Sequence, residues 1–210
     1  MADKFLDRDR KHMKAIALVT DYLEQHGVRC FTIGTETDLK GLYTELADRA
    51  DPLSRMLRFR PDRIHFKDGQ KPMLCEIKSE DARSSNFAVE IDSFHAARLW
   101  DTATGQVAVL FVDLGHTPPV CYGVWVKDIP IPHTIFVPNR PGYKATKKRL
   151  EEEWPWSMLR IIEWESGSGT PFFLVSKKTL PSIQSFLGGA GAIEKPPEPV
   201  QLSFSQRGEI

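Results

Sequence analysis

Apolar residues recur at helical spacing near the start of the chain. Ala15, Ile16, Val19, Tyr22 and Leu23 share one face of a helix predicted over residues 9–26, and Gly27 offers its C-terminal cap. A short strand is predicted over 28–33. Residues 35–58 are polar; a helix over 42–50 fits them, with Pro52 interrupting it or opening the next turn. From residue 63 the period changes to two. Residues 63–66 alternate, Lys67-Asp68-Gly69-Gln70 has turn chemistry, and 73–78 alternate again, which predicts a β-hairpin. After a polar loop over 80–86, a helix over 88–102 is expected to bury Phe94, Ala97 and Leu99, and Gly105 ends it. Val107–Asp113 (VAVLFVD) is a nearly continuous apolar run, the mark of a strand covered on both faces. Another strand follows over 120–126. Hairpin, helix and buried strand in succession give an α/β pattern.

The character changes after Lys127. Pro130, Pro132, Pro138 and Pro141 fall close together. A basic helix start (Lys144, Lys147, Lys148, Arg149) runs into the acidic Glu151–Glu153, and Trp154, Trp156 and Trp164 read as core aromatics. A strand over 172–175 and a short helix over 180–187 complete this part. The expected organisation is a core over 1–127, a C-terminal elaboration over 128–189 packed on it, and a Pro/Glu-rich, disordered tail over 190–210.

Composition narrows the classes. The 210 residues are 41% hydrophobic and 27% charged, enough apolar content for a sizeable core. No apolar run approaches the roughly 18 to 20 residues of a membrane span, and the charged start MADKFLDRDRKHMK is no secretory signal. Cys30, Cys75 and Cys121 lie far apart, with no CxxC, so a disulfide framework and a cysteine zinc site are not expected and a reducing cytoplasm fits. With 28 basic against 28 acidic residues the net charge is zero, which disfavours a protein that coats polyanions wholesale but leaves room for local basic patches.

The hairpin carries the chemistry. Side chains alternate along a strand, so Glu76 and Lys78 project from one face and Cys75 and Ile77 from the other. If pairing is centred near Gly69, positions whose numbers sum to about 138 are opposite, and Asp62 lies across from Glu76. Two carboxylates and one ammonium then meet at one edge of a small sheet. Such a carboxylate pair repels unless a cation sits between them, and hard oxygen donors favour Mg²⁺ over zinc. A lysine beside them can orient or deprotonate an attacking water and offset charge on a phosphoryl oxygen.

Pro61-Asp62, a turn, Glu76-Ile77-Lys78, a helix and a buried strand are similar to the PD-(D/E)xK nuclease superfamily, over roughly residues 10–127. The resemblance implies a restriction-endonuclease-like mixed β-sheet flanked by helices, cleavage of DNA phosphodiester bonds, and Mg²⁺ or Mn²⁺ as cofactor. It implies Asp62 and Glu76 as metal ligands with the main-chain carbonyl of Ile77, and Lys78 as the water-activating residue. Members usually add an acid on the first helix, which this chain does not offer cleanly. His12, Glu45 and Glu90 are the candidates for a further site residue; the bland alternative for His12 is a half-buried helix histidine, and for Glu90 an acid favoured by a helix N-terminus.

Arg55, Arg58, Arg60 and Arg63, interleaved with Leu57 and Phe59, are candidates for DNA phosphate contacts or simply a solvated loop. In the tail, Gln201-Leu202-Ser203-Phe204 resembles a shortened form of the peptide by which bacterial proteins bind the DNA sliding clamp; a random stretch of tail is the alternative. The expected function is a metal-dependent deoxyribonuclease of DNA repair, recombination or phage and defence processing, with a homodimer convenient for paired cuts. The competing expectation is a non-catalytic nuclease-fold module that binds nucleic acid or a protein partner. With no GxxxxGK[ST] and no GxGxxG, nucleoside triphosphate chemistry has no basis.

Overall fold

A computed structural model describes residues 2–33, 51–81, 84–138, 160–164 and 170–188. In chain order the elements are α1 (Ala2–Gln25), β1 (Arg29–Thr32), α2 (Pro52–Arg58), β2 (Arg63–Phe66), β3 (Met73–Glu80), β4 (Asn86–Glu90), α3 (Ile91–Thr104), β5 (Val107–Asp113), β6 (Val120–Trp125), β7 (Thr134–Pro138), β8 (Arg160–Trp164), β9 (Phe172–Ser176) and α4 (Ile183–Leu187).

Every residue of β5 is buried, as its unbroken apolar run requires. It runs parallel to β3 and antiparallel to β6. With β1 and β2 added through antiparallel pairs, these strands make a five-stranded mixed sheet in the order β1-β2-β3-β5-β6. Helix α1 covers one face: Ala15, Leu18, Val19 and Leu23 meet Cys75, Ile77, Ala108, Leu110 and Val112, joined by Ile183 of α4. The mixed sheet flanked by helices predicted from the sequence is present.

The other face is covered by α3 and by a second sheet, ordered β4-β9-β7-β8. Phe94 and Ala97 of α3 pack with Val107, Val109 and Phe111 of β5 and with Phe87, Val89, Ile135, Val137, Phe173 and Val175 of the second sheet. An ion pair between Asp113, buried at the end of β5, and Lys177, half-buried just after β9, fastens the two sheets, and the Lys177 ammonium lies 4.9 Å from the centre of the Phe87 ring. Such a pair is costly to break, because the buried Asp113 is then left without its partner.

Several expectations need correction. α1 begins seven residues earlier than predicted: its first two turns are charged, and apolar periodicity cannot register them, yet straight-chain charged residues favour helix. The helix expected over 88–102 is a strand followed by a helix. Phe87 and Val89 alternate inward along β4, a period-two signal only five residues long, and the chain turns into α3 at Ile91. Phe94 and Ala97 are buried as expected, whereas Leu99 is only half-buried. Pro52 starts α2, where its missing N–H costs nothing. Strands β7 and β8 had no prediction. Trp164, expected in the core, is 45% exposed on β8. The helix over 42–50, the basic and acidic runs over 144–153, Trp154, Trp156 and the tail over 190–210 lie outside the described residues. Among the described residues no helix is long and apolar enough to cross a membrane.

Gly123 on β6 shows how closely α4 is applied to the sheet. A Cβ there would sit 2.6 Å from Cδ1 of Phe186 and 3.1 Å from its Cβ. The second distance means that rotating the ring away does not remove the overlap. Gly123→Ala is expected to destabilise the fold by about 1–3 kcal/mol, the usual cost of overpacking, seen as a lower urea midpoint. Adding Phe186→Ala to that variant should cost less than Phe186→Ala alone; strict additivity would show that the two positions do not meet.

Candidate active site

The hairpin sets the site. β2 pairs with β3 as Arg63↔Cys75, Ile64↔Leu74 and His65↔Met73. Continued by one residue, this register sets Asp62 opposite Glu76. Cys75 and Ile77 turn into the α1 core, and Glu76 and Lys78 turn to the α3 side. Past the last ladder pair, Asp62 takes over: its Oδ2 accepts the main-chain N–H of Ile77 at 2.7 Å. The carbonyl of Asp62 in turn accepts the N–H of Ile33 at 3.3 Å. The N–H and C=O of one strand residue leave the chain on the same side. The Ile77 carbonyl therefore leaves β3 toward Asp62 as well.

Glu76 and Lys78 form the centre. Lys78 Nζ lies 2.6 Å from Glu76 Oε1, with the two side chains 21% and 13% exposed. Ser93, in the first turn of α3, donates its hydroxyl to the same oxygen at 2.9 Å. Burial is the main force on Glu76 and pushes its carboxyl up to about 7; the charge of Asp62 adds to the rise, and Lys78 and Ser93 oppose it. Burial alone would lower Lys78, but the carboxylates of Glu76, Glu90 and Asp62 outweigh it and hold the ammonium above its ordinary value. Lys78 is thus charged at neutral pH.

Two of the three further candidates join this cluster. His12 Nε2 is 3.9 Å from Asp62 Oδ1, an ion-pair distance too long for a hydrogen bond. Asp62 raises the imidazole above its ordinary value against the effect of burial. One residue earlier, Lys11 bridges Asp7 and Asp81 at 2.6 Å each, which ties α1 to the chain just beyond β3 and so places His12. Glu90 is the N-cap residue of α3; Thr170 Oγ1 donates to its Oε1 at 3.1 Å, and its charge acts on Lys78. Glu45 lies outside the described residues.

The arginines are placed differently. Arg60 donates to the carbonyls of Leu57 and Ile33, at 3.0 and 3.3 Å. Arg58 lies 5.1 Å from the centre of the Phe59 ring. Arg63 shares its sheet face with His65 and Cys75, opposite to Glu76, and its Nε is buried without a hydrogen-bond partner. The side chain of Arg55 is outside the described set.

Sequence reasoning missed Ser93. The signal was a small hydroxyl on the buried side of a helix, between Ile91 and Phe94, where alanine would fill almost the same space. Among the described residues, no three His, Cys, Asp or Glu side chains converge to hold an ion. Asp62 meets the Ile77 N–H, the Ile77 carbonyl leaves β3 on the same side, and the charges of Asp62 and Glu76 act on one another; two carboxylates and one main-chain carbonyl are the size of set that Mg²⁺ takes when it keeps several of its waters. A cation there would also offset the repulsion that helps raise Glu76. The donor chemistry fits a hard divalent ion.

The shift on Glu76 has a signed consequence. The unfolded chain releases this proton near 4.5, and the folded protein keeps it to about 7. Ionising Glu76 therefore erodes stability as pH rises through that window. In metal-free buffer, Glu76→Gln is expected to lose less unfolding free energy between pH 4.5 and 7 than the unaltered protein, as read by urea denaturation. Parallel pH profiles would show that Glu76 is not strained by its burial.

No family model matches the chain, and no curated protein does. Among solved structures it is similar to Hjc, a Holliday junction resolvase from the archaeal hyperthermophile Archaeoglobus fulgidus, with 8% sequence identity and a TM-score of 0.45, over 85% of this chain and 96% of that one.

Proposed function

We propose that the protein is a metal-dependent nuclease that hydrolyses DNA phosphodiester bonds in the cytoplasm, in repair, recombination or phage and defence DNA processing. The observation that carries this reading is the convergence of Asp62, Glu76 and Lys78 about the Ile77 peptide. Asp62, Glu76 and the Ile77 carbonyl would hold Mg²⁺ or Mn²⁺, which would acidify a water and polarise a phosphoryl oxygen.

The chain's own groups supply the rest. Lys78 keeps its proton at neutral pH, because three carboxylates face it. Its task in that state is to hold a phosphoryl oxygen or orient the attacking water rather than to accept a proton. The attack is in line on phosphorus, with the leaving oxygen opposite the incoming one. His12, drawn toward its charged form by Asp62, adds a second basic group beside that carboxylate. Glu76 holds Lys78 in its charged form most strongly, and the Glu90 carboxylate, fixed by Thr170, adds to that.

One observation favours a second reading. The shortest contact of Glu76 is with Lys78 itself, and no three acidic or ligating side chains converge among the described residues. A binding-only module of the same fold would look so. Metal titration separates the two, since such a module has no carboxylate-dependent Mn²⁺ binding.

The test is cleavage of labelled single strands, duplexes, flaps, nicked DNA and four-way junctions, each with Mg²⁺, Mn²⁺ or EDTA. Lys78→Ala is expected to lower cleavage by about a hundredfold or more while leaving DNA binding in EDTA nearly unchanged. Asp62→Asn is expected to weaken Mn²⁺ binding in calorimetry as well as the rate. Full activity in either variant refutes the assignment. A folded protein that cuts nothing and binds no Mn²⁺ belongs to the second reading.

A further inference from the structure

Among the described residues Glu76 receives two donors, and both take the same oxygen. Lys78 Nζ approaches Oε1 at 2.6 Å and the Ser93 hydroxyl at 2.9 Å. They come from different elements, β3 and α3, so together they fix the carboxylate plane against rotation about its last bond. Oε2 is committed to neither. A hydroxyl in the first turn of a helix ordinarily bonds nearby main chain. Here it instead crosses from α3 to β3, at a position only 4% exposed between the apolar Ile91 and Phe94.

The start of α3 is itself held firmly. Ile91 donates its N–H to the Pro171 carbonyl at 3.0 Å, and Thr170 holds Glu90. Ser93 therefore stands on a helix turn anchored to the second sheet and reports that anchoring to Glu76.

We propose that Ser93 is a positioning residue: its hydroxyl pins Oε1 of Glu76 so that Oε2 is presented to a divalent cation. The inference rests on the nuclease reading, because it assigns Glu76 as a ligand. It adds a residue that touches neither the DNA nor the ion and acts only through Glu76. Lys78 alone would leave the carboxylate on a flexible partner with a long stem; the short serine side chain on a packed helix supplies the rigid half of the clamp.

The experiment is Mn²⁺ titration calorimetry on the full chain without DNA, for the unaltered protein and for Ser93→Ala, Ser93→Cys and Ser93→Thr. Ser93→Ala is expected to weaken Mn²⁺ binding about tenfold, the usual scale for losing a hydrogen bond to a ligand. Ser93→Cys keeps the shape but donates weakly, and should behave like Ser93→Ala; Ser93→Thr restores a hydroxyl and should recover most of the affinity. Urea midpoints and DNA affinity in EDTA should stay close to the unaltered values, and kcat should fall with little change in KM. Unchanged Mn²⁺ affinity in Ser93→Ala, or a Ser93→Cys variant that matches the unaltered protein, overturns this inference alone. An unaltered protein without Mn²⁺ binding overturns the nuclease reading and this inference with it.

Discussion

The structure depends on the parallel ladder between β3 and β5. Seven pairs join them, from Leu74↔Val107 to Glu80↔Asp113. β5 is buried on both faces, so it needs a layer on each side, and α1 and the second sheet are those layers. β3 lies beside it and inherits this arrangement. Its Cys75 and Ile77 must enter the α1 core, and alternation then leaves Glu76 and Lys78 no choice but the α3 side. Polar groups in such a half-buried place need partners, and they find them in each other, in Ser93 and in the charge of Glu90.

The parts legible in the sequence were those whose signal is local and repeated. Val107–Asp113 announced a strand with two covered faces. The alternation on both sides of Lys67-Asp68-Gly69-Gln70 announced the hairpin, and the turn fixed a register that carries Asp62 to Glu76. The illegible parts depend on partners distant in sequence. β4 is too short for its alternation to be told from the first turn of a helix, and it is a strand because β9 pairs with it across more than eighty positions. Ser93 looked like any helix serine, since nothing local says that Glu76 lies above it. His12 and Glu90 stand out in the sequence as candidates, but only tertiary placement brings them to Asp62 and Lys78. Trp164 failed as a core residue because aromatic identity says how much surface there is to bury, not which side of a strand faces inward.

The charge pattern of the cluster differs from that of a surface salt bridge. Asp62, Glu76 and Glu90 act on two basic groups there, and burial opposes the charges of Glu76, Lys78 and His12. The balance falls unevenly: Lys78 keeps its proton, whereas Glu76 holds one that an exposed glutamate would have lost. Burial and the charge of Asp62 both act against the ionised form of Glu76, and Lys78 and Ser93 act for it.

The pairing of β4 with β9 also orders events in time. A chain made from its N-terminus releases Asn86–Glu90 long before Phe172–Ser176, so β4 has no partner until nearly all of the described chain has appeared. The start of α3 waits with it, since Ile91 is held by Pro171 and Glu90 by Thr170. Asp62, Glu76 and Lys78 are all synthesised early, but the turn that carries Ser93 is anchored late. The growing chain thus holds Asp62, Glu76 and Lys78 before the turn that carries Ser93 is anchored, and the arrival of β9 is the step that brings the cluster together.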